Sequence, residues 1–356
     1  MTSLASHRHD VYGLLVDSDV DLHLDRALGS DAVPGRTPDL VLRRGPGREQ
    51  APLAGRAVLE HVRDGRSWYE AVRLDDGRLV LRFDGVLDVE LAPDGVRATW
   101  RLAPDGDEGV AAVLLAGAFL AFVLTWRREL VLHGSAVDLA RDGRAATIGF
   151  VGRSGMGKST MATLLCRAGG TLVTDDVLVL DSVGSPGSSG GAVVPRRGAA
   201  EVRLRDGAAT LADELEAAGA PARTTGDARQ ALRLAGRRAG TDAGRRGPAP
   251  LAALVIPFPD RTHDELRVQR LLPREAALTL MRFPRLSQWR DHAVTAQHFA
   301  DLVRLTARVP VLLARVPWGP PFRPDVVEEL IGTVLTGALP GAEALVPAGP
   351  QAVGSV

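Results

Sequence analysis

The chain has 356 residues, 45% of them hydrophobic, which is enough for two domains with buried cores. Lys plus Arg and Asp plus Glu both number 43, so the formal net charge is zero, which argues against a nucleic acid or an anionic membrane as the main partner. Cys166 is the single cysteine; it cannot form an internal disulfide, and a reducing, cytoplasmic setting is expected.

Met1 to Asp10 is polar and lacks the apolar core of a signal peptide. Residues 1–105 read as a β-rich region. Tyr69 to Leu74, Leu79 to Phe83, Val86 to Leu91 and Val96 to Leu102 alternate or are β-branched. Asp75-Asp76-Gly77, Asp84-Gly85 and Pro93-Asp94-Gly95 separate them, and Asp-Gly supplies the positive φ angles of tight hairpins. The expectation is an antiparallel meander with no chemical residue of its own.

Gly109 to Trp126 is uncharged and long enough to raise a transmembrane helix. Its alanine and glycine content, and the strand and glycine loop that follow, favour a buried helix packed on a sheet. Leu130 to Asp138 comes next, then a polar hairpin at Arg141 to Arg144. Ala145 to Val151 reads as a buried strand running into the loop, and Ser159 to Ala168 as the helix after it. Thr171 to Val173 begins a further strand that delivers Thr174-Asp175-Asp176 and continues as Val177 to Leu180.

Ser182 to Gly191 reads as a flexible loop, and Arg223 to Gly247, rich in Arg, Gly and Ala, as partly mobile. Leu251 to Pro257 is an expected core strand, Gln288 to Thr306 a helix and Val309 to Val316 a strand. Pro324 to Leu335 is the last expected helix, with Pro324 in its first turn, and a frayed tail is expected from Gly337. The division is a β-rich region (1–105), a catalytic domain (106–340) and a tail (341–356).

The segment Gly152-Arg153-Ser154-Gly155-Met156-Gly157-Lys158-Ser159 matches the phosphate-binding loop in full. Lys158 is the only lysine in the chain; every other basic residue counted is arginine. A wide, planar guanidinium does not fit where a backbone cradle leaves room for a slim ammonium. Loop residues Gly152 to Ser159, with Thr160, are therefore expected to hold a nucleotide. Lys158 would reach the β- and γ-phosphates, and Ser159 would offer its hydroxyl to Mg²⁺. Asp175-Asp176, at a strand end beside such a loop, offers one carboxylate for Mg²⁺ and one to accept a proton from an attacking hydroxyl. His133, at the end of an apolar strand and followed by Gly134, can project into the same cleft.

Together these residues resemble the HPr kinase/phosphorylase family, phosphate-loop kinases related in fold to ATP-dependent phosphoenolpyruvate carboxykinase. The resemblance covers about Leu130 to Asp181. It rests on Leu132-His133-Gly134, the loop Gly152 to Ser159, and Val173-Thr174-Asp175-Asp176-Val177. It implies an α/β P-loop kinase domain with a mixed sheet, preceded here by the β-rich region. It implies catalytic roles for His133, Lys158, Asp175 and Asp176. The family also uses a glutamate in a Glu-Ile-Arg stretch for Mg²⁺, which points to Glu201 in Glu201-Val202-Arg203. Thr160 stands where the family loop usually carries glutamate, the C-terminal signature tied to phosphorylase activity is absent, and the first region does not look like the family's usual N-terminal domain.

Three functions follow. One is an ATP- and Mg²⁺-dependent kinase of a hydroxyl on a peptide, protein or small molecule, with Arg203, Arg233 or Arg237 completing the phosphate clamp. Another is a nucleotide-binding regulator without transfer. The third is a binding module in which the first region captures a peptide. A Ras-like GTPase is disfavoured because guanine recognition there needs a second lysine. Homo-oligomer formation is left open.

Overall fold

The computed structural model describes residues 6–24, 36–63, 65–141, 143–181, 191–199, 201–204, 208–217, 220–226, 230–234 and 248–337. Most of the expected Ser182–Gly191 loop, Arg237 and the tail beyond Gly337 lie outside the described residues. Eight strands build the first sheet: β1 (His7–Val11), β2 (Leu14–Ser18), β3 (Leu40–Arg44), β4 (Arg56–Arg63), β5 (Arg66–Arg73), β6 (Leu79–Phe83), β7 (Leu87–Leu91) and β8 (Arg97–Leu102). Their order is β1-β2-β3-β8-β7-β6-β5-β4. The expected meander is present from β4 to β8, joined antiparallel with Gly85 and Gly95 at positive φ in its turns. The first three strands widen it, because β3 lies parallel to both β2 and β8. A purely antiparallel sheet was expected, and short-range turn signals carry no information about this long-range insertion.

Alternation along these strands puts Leu40, Leu42, Leu81, Phe83, Val89 and Trp100 in one buried layer. Across that layer lie α1 (Glu108–Leu114), a π-helical turn (Leu115–Phe119) and α2 (Leu120–Trp126). Leu115, Phe119, Leu120 and Phe122 are buried in the same core. The stretch is long and apolar enough to cross a membrane, but in this fold it is the helix that a sheet covers. Asp107 caps it, accepting from the Val110 N–H at 2.8 Å.

The second unit continues with β9 (Val131–Leu132), β10 (Gly134–Arg141), β11 (Arg144–Val151), α3 (Lys158–Arg167), β12 (Thr171–Thr174), β13 (Leu178–Asp181), β14 (Val194–Pro195) and β15 (Glu201–Leu204). After these come α4 (Ala209–Ala217), β16 (Ala222–Thr224), β17 (Gln230–Arg233), β18 (Leu251–Asp260), β19 (Arg267–Arg270), α5 (Pro273–Leu280), α6 (His292–Thr306), β20 (Val311–Pro317) and α7 (Pro324–Thr336). The central sheet has the order β12-β10-β11-β18-β20-β19. It is mixed: β11, β18 and β20 run parallel, while β10 is antiparallel to both β11 and β12. The fold is thus mixed α/β, with small sheets β14-β13-β9 and β15-β17-β16 beside it.

Two expectations need correction, and one strand boundary is as expected. The strand expected to run through Asp175-Asp176 is two strands in different sheets, because Asp176 at φ 71° turns the chain. The apolar strand expected to end at His133 is present as β9, and the chain changes partners there before β10. The helix expected from Gln288 begins at His292, since Gln288 has φ 66° and Asp291 is the N-cap that accepts from the Ala293 and Val294 N–H groups.

The outer face of the first sheet hides an ion pair. Arg82 and Asp88 are cross-strand partners on β6 and β7, joined by two bonds of 2.8 Å, with side chains 7% and 1% exposed. Gln50 donates to Asp88 at 3.0 Å, and Arg82 donates to the Ala51 carbonyl at 2.6 Å. Burial raises the Asp88 pKa, but the Arg82 bonds and charge outweigh it and leave it lowered. Breaking one side of such a pair strands the other charge. Arg82→Met or Asp88→Leu alone is expected to cost about 3–5 kcal/mol in urea unfolding. The double variant is expected to cost less than either single change, and additive losses would show that the two side chains act independently.

Candidate active site

The strand directions bring the site together. The glycine loop follows β11, Arg261 follows β18 and Trp318 follows β20, all at the C-terminal ends of parallel strands. Asp175 follows β12, which shares that direction, and His133 precedes the oppositely running β10. All five therefore reach one edge of the sheet, where open α/β sheets place their ligands. A cleft of about 280 Å³ lies there, walled by Ser154, Gly155, Gly157, Lys158, Ser159 and Thr160 on one side. His133, Asp175, Asp176, Arg203, Arg261 and Trp318 line the rest of it, with Leu204 and Ala208. Gly152, Arg153 and Met156, also expected to hold nucleotide, do not line the cleft; they brace the loop, with the Arg153 N–H donating to Met156 Sδ at 3.1 Å.

Helix α3 starts at Lys158, and its first residues, Lys158 to Thr160, line the cleft, so the positive end of its dipole faces it. Lys158 is buried, and its Nζ donates to the Arg153 carbonyl at 3.0 Å, inside the curve of its own loop. Gly157 has φ 84°, and a Cβ there would stand 2.2 Å from the Trp318 ring. The indole thus closes against the loop and holds its shape, a contact that no local motif announces.

Asp175 and Asp176 are adjacent but unlike. Asp175 Oδ1 accepts from Ser135 Oγ at 2.5 Å and Ser159 Oγ at 2.9 Å, and Oδ2 accepts from the Arg203 N–H at 3.3 Å. Burial raises its pKa above the ordinary carboxylate value, the Ser135 bond opposes this, and the Asp176 charge adds to it. Asp176 Oδ2 accepts from both Arg203 Nη2 and Arg285 Nη2 at 2.8 Å, and Oδ1 lies 3.3 Å from His133 Nε2. Burial would raise this carboxyl too, but Arg285, Arg203 and the His133 bond hold it well below the usual range. Burial pushes the His133 imidazole down to about 4 against the pull of Asp176. The ring is therefore neutral near pH 7, with Nε2 donating to Asp176.

Gly117, in the π-helical turn, lets this cluster press against the apolar helix: a Cβ there would lie 3.2 Å from Asp176 Oδ2 and 3.5 Å from Arg285 Nη2. π-Helical turns concentrate at functional sites, and this one joins the first sheet's core helix to the carboxylate pair. On that side is a second, smaller cavity of about 40 Å³. Asp175, Asp176 and Arg203 line it as they line the first cleft, and its outer walls include Tyr12, Leu22, His23 and Leu24 from the first region. Burial and the Asp176 charge push the Tyr12 phenol above its ordinary value.

The sequence-derived residues His133, Lys158, Ser159, Asp175 and Asp176 are thus brought together. Glu201 is not beside Ser159: it lines the second cavity and is ion-paired to Arg223 at 2.7 Å. Among the described residues no group of three His, Cys, Asp or Glu side chains is arranged to hold a metal. Of the arginines considered, Arg203 stands in the site, while Arg233, on β17, is the strand neighbour of Glu201 on β15. Arg285, Ser135, Trp318 and Tyr12 were not foreseen. Neither a protein-family model nor a curated protein matches this chain.

Because His133 is charged in the unfolded chain below about pH 6.5 and neutral in the fold down to about 4, protons bind the unfolded state preferentially between those values. Stability is therefore expected to fall as pH drops through that window, by about 1–2 kcal/mol from pH 7 to about pH 5 for this group. Urea unfolding of the protein and of His133→Gln at both pH values checks this. The variant is expected to have the shallower dependence, and equal slopes would contradict the assignment.

Proposed function

We propose that the protein is an ATP-dependent kinase that moves the γ-phosphoryl group to a hydroxyl on a peptide, a protein or a small molecule, in the manner of HPr serine kinases. The observation that carries this reading is the position of Asp175 and Asp176 between two cavities, one walled by the phosphate-binding loop and one by the first region. A transfer enzyme needs that arrangement, with two substrates meeting across the groups that serve the transfer. A cytoplasmic setting belongs to the same reading.

Lys158, the N–H groups of α3 and Arg203 supply positive charge for the polyphosphate. Arg261, at the cleft mouth, is exposed and within reach of the same ligand. Ser159 Oγ and Asp175 Oδ1, 2.9 Å apart, are hard oxygen donors that fit Mg²⁺. Glu201 fits less well, since Arg223 already neutralises it. When bound, the cation supplies further neutralisation of phosphate charge.

Asp176 takes the acceptor side. Its depressed pKa keeps it ionised at neutral pH, and a loose, metaphosphate-like transition state asks for orientation of the hydroxyl more than for a strong base. Neutral His133 fixes one Asp176 oxygen and the two arginines fix the other. Arg203 reaches both cavities and is placed to meet charge on the transferring group.

The test is transfer of radiolabelled γ-phosphate by the full-length protein, with Mg²⁺, to seryl and threonyl peptides, whole protein extracts and free hydroxyl compounds. Label is expected on a hydroxyl. Asp176→Asn is expected to lower its rate by roughly 10²–10⁴-fold with little change in ATP affinity. Intact ATP binding without transfer to any acceptor would favour a nucleotide-dependent regulator and sink the kinase reading.

A further inference from the structure

The order of the central sheet sorts the residues of the nucleotide cleft along its edge. From one side it runs β12, β10, β11, β18, β20. Asp175 follows β12, His133 precedes β10, the phosphate-binding loop follows β11, Arg261 follows β18 and Trp318 follows β20. The carboxylate pair thus stands on one flank of the loop, and Arg261 and Trp318 stand on the other. A polyphosphate held by the loop with its terminal phosphate toward Asp175 and Asp176 sends its opposite end toward β18 and β20. That end carries the nucleoside.

That flank offers an aromatic ring and a cation. Trp318 is half-buried and lines the cleft. The edge of its six-membered ring is fixed against Gly157, and its plane lies at 88° to Phe322 with 5.4 Å between centroids, so the indole is held in one orientation. The Trp318 N–H donates to the Asp260 carbonyl at 2.8 Å, which ties the two strand ends together. The Asp260 carboxylate accepts from the Thr262 N–H at 2.8 Å and from Thr262 Oγ1 at 2.6 Å, and it meets His263 Nδ1 at 2.9 Å. These bonds fix the turn that carries Arg261, whose side chain is exposed at the cleft mouth.

An indole and a guanidinium both take a nucleobase by its π-face. Telling the amino group of adenine from the carbonyl of guanine at the base edge needs an acceptor as well as a donor. The side chains of Arg261 and Trp318 carry donors and no acceptor, and a donor there is satisfied by N7 of either purine. Asp175 and Asp176 are engaged by Ser135, Arg203 and Arg285 on the other flank. We infer that the base of the bound nucleotide stacks on Trp318 beside the Arg261 guanidinium, and that the cleft reads this base by its face, taking adenine and guanine nucleotides alike. The inference deepens the donor half of the proposed function and rests on it. The loop recognises the charge, and the indole separates a nucleotide from bare polyphosphate.

Calorimetry of the full-length protein with Mg²⁺ compares ATP, GTP and inorganic tripolyphosphate, for the parent, Trp318→Leu and Trp318→Phe, with circular dichroism confirming that each variant is folded. ATP and GTP are expected to bind within about tenfold of each other, and each roughly tenfold or more tighter than tripolyphosphate, the worth of one stacked base. Trp318→Leu is expected to remove that margin, weakening ATP roughly tenfold while tripolyphosphate stays within about threefold of the parent value. Trp318→Phe, which keeps a ring, is expected to retain most of the margin. An indole that only props the loop would make Trp318→Leu lose ATP and tripolyphosphate equally, and that result overturns the inference. So does a parent protein that binds tripolyphosphate as tightly as ATP, or one that separates ATP from GTP by more than about tenfold. In those cases the surviving tripolyphosphate binding leaves the phosphate loop in place and only the base platform is lost. A parent protein that binds neither ATP nor tripolyphosphate removes the nucleotide reading and this inference together.

Discussion

Asp176 is a buried carboxylate, and a buried carboxylate must be paired or lose its charge. Its three partners come from three separate places in the chain. Arg203 belongs to β15, Arg285 to the segment after α5, and His133 to the break between β9 and β10, while Gly117 in the apolar helix leaves the space they need. The left-handed backbone of Asp176 itself (φ 71°) is a conformation that a non-glycine residue keeps only when its surroundings enforce it. The pairing therefore pins the first sheet's core helix, the central sheet and the small β15 sheet to one point. That point is also where the two cavities meet.

The same constraint separates the roles of two adjacent carboxylates. Asp175 meets hydroxyls and a backbone N–H, and burial leaves its pKa raised; Asp176 meets two guanidinium groups and is held low. One strand end thus presents a carboxyl raised by burial beside Ser159 and, one residue on, a carboxylate held low by two guanidinium groups; the proposed function gives the cation to the first and the acceptor hydroxyl to the second. The difference lies in the neighbours, since the residues are chemically identical.

What was legible in the sequence was local. The glycine loop, its flanking strand and helix, the Asp pair and the Asp-Gly hairpins are each written within about ten residues, and each is present. The uncharged helix was legible too, because composition and the following strand distinguished a core element from a membrane span. What was hidden depends on long-range contact. Arg285 lies in Met281-Arg282-Phe283-Pro284-Arg285, with no motif around it, and becomes part of the site because this segment runs beside β9, with the His133 N–H reaching the Phe283 carbonyl at 2.9 Å and the Arg285 N–H the Val131 carbonyl at 3.3 Å. Trp318 and Ser135 are visible only once the strand order is known. Tyr12 and Leu22 belong to a region that offered no chemistry, yet they wall the second cavity. Glu201 was drawn in by a three-residue likeness, and its pairing with Arg223 was not readable from that likeness.

The proposed function requires the single ammonium of Lys158 to grip a polyphosphate. Titration calorimetry of the full-length protein with ATP and Mg²⁺, beside the same titration of Lys158→Ala, measures it most directly. The expected result is saturable, one-to-one heat for the parent protein and an affinity weaker by roughly a hundredfold in the variant, about 2.7 kcal/mol. A parent protein that gives no heat, or a folded Lys158→Ala that binds as tightly, would contradict it.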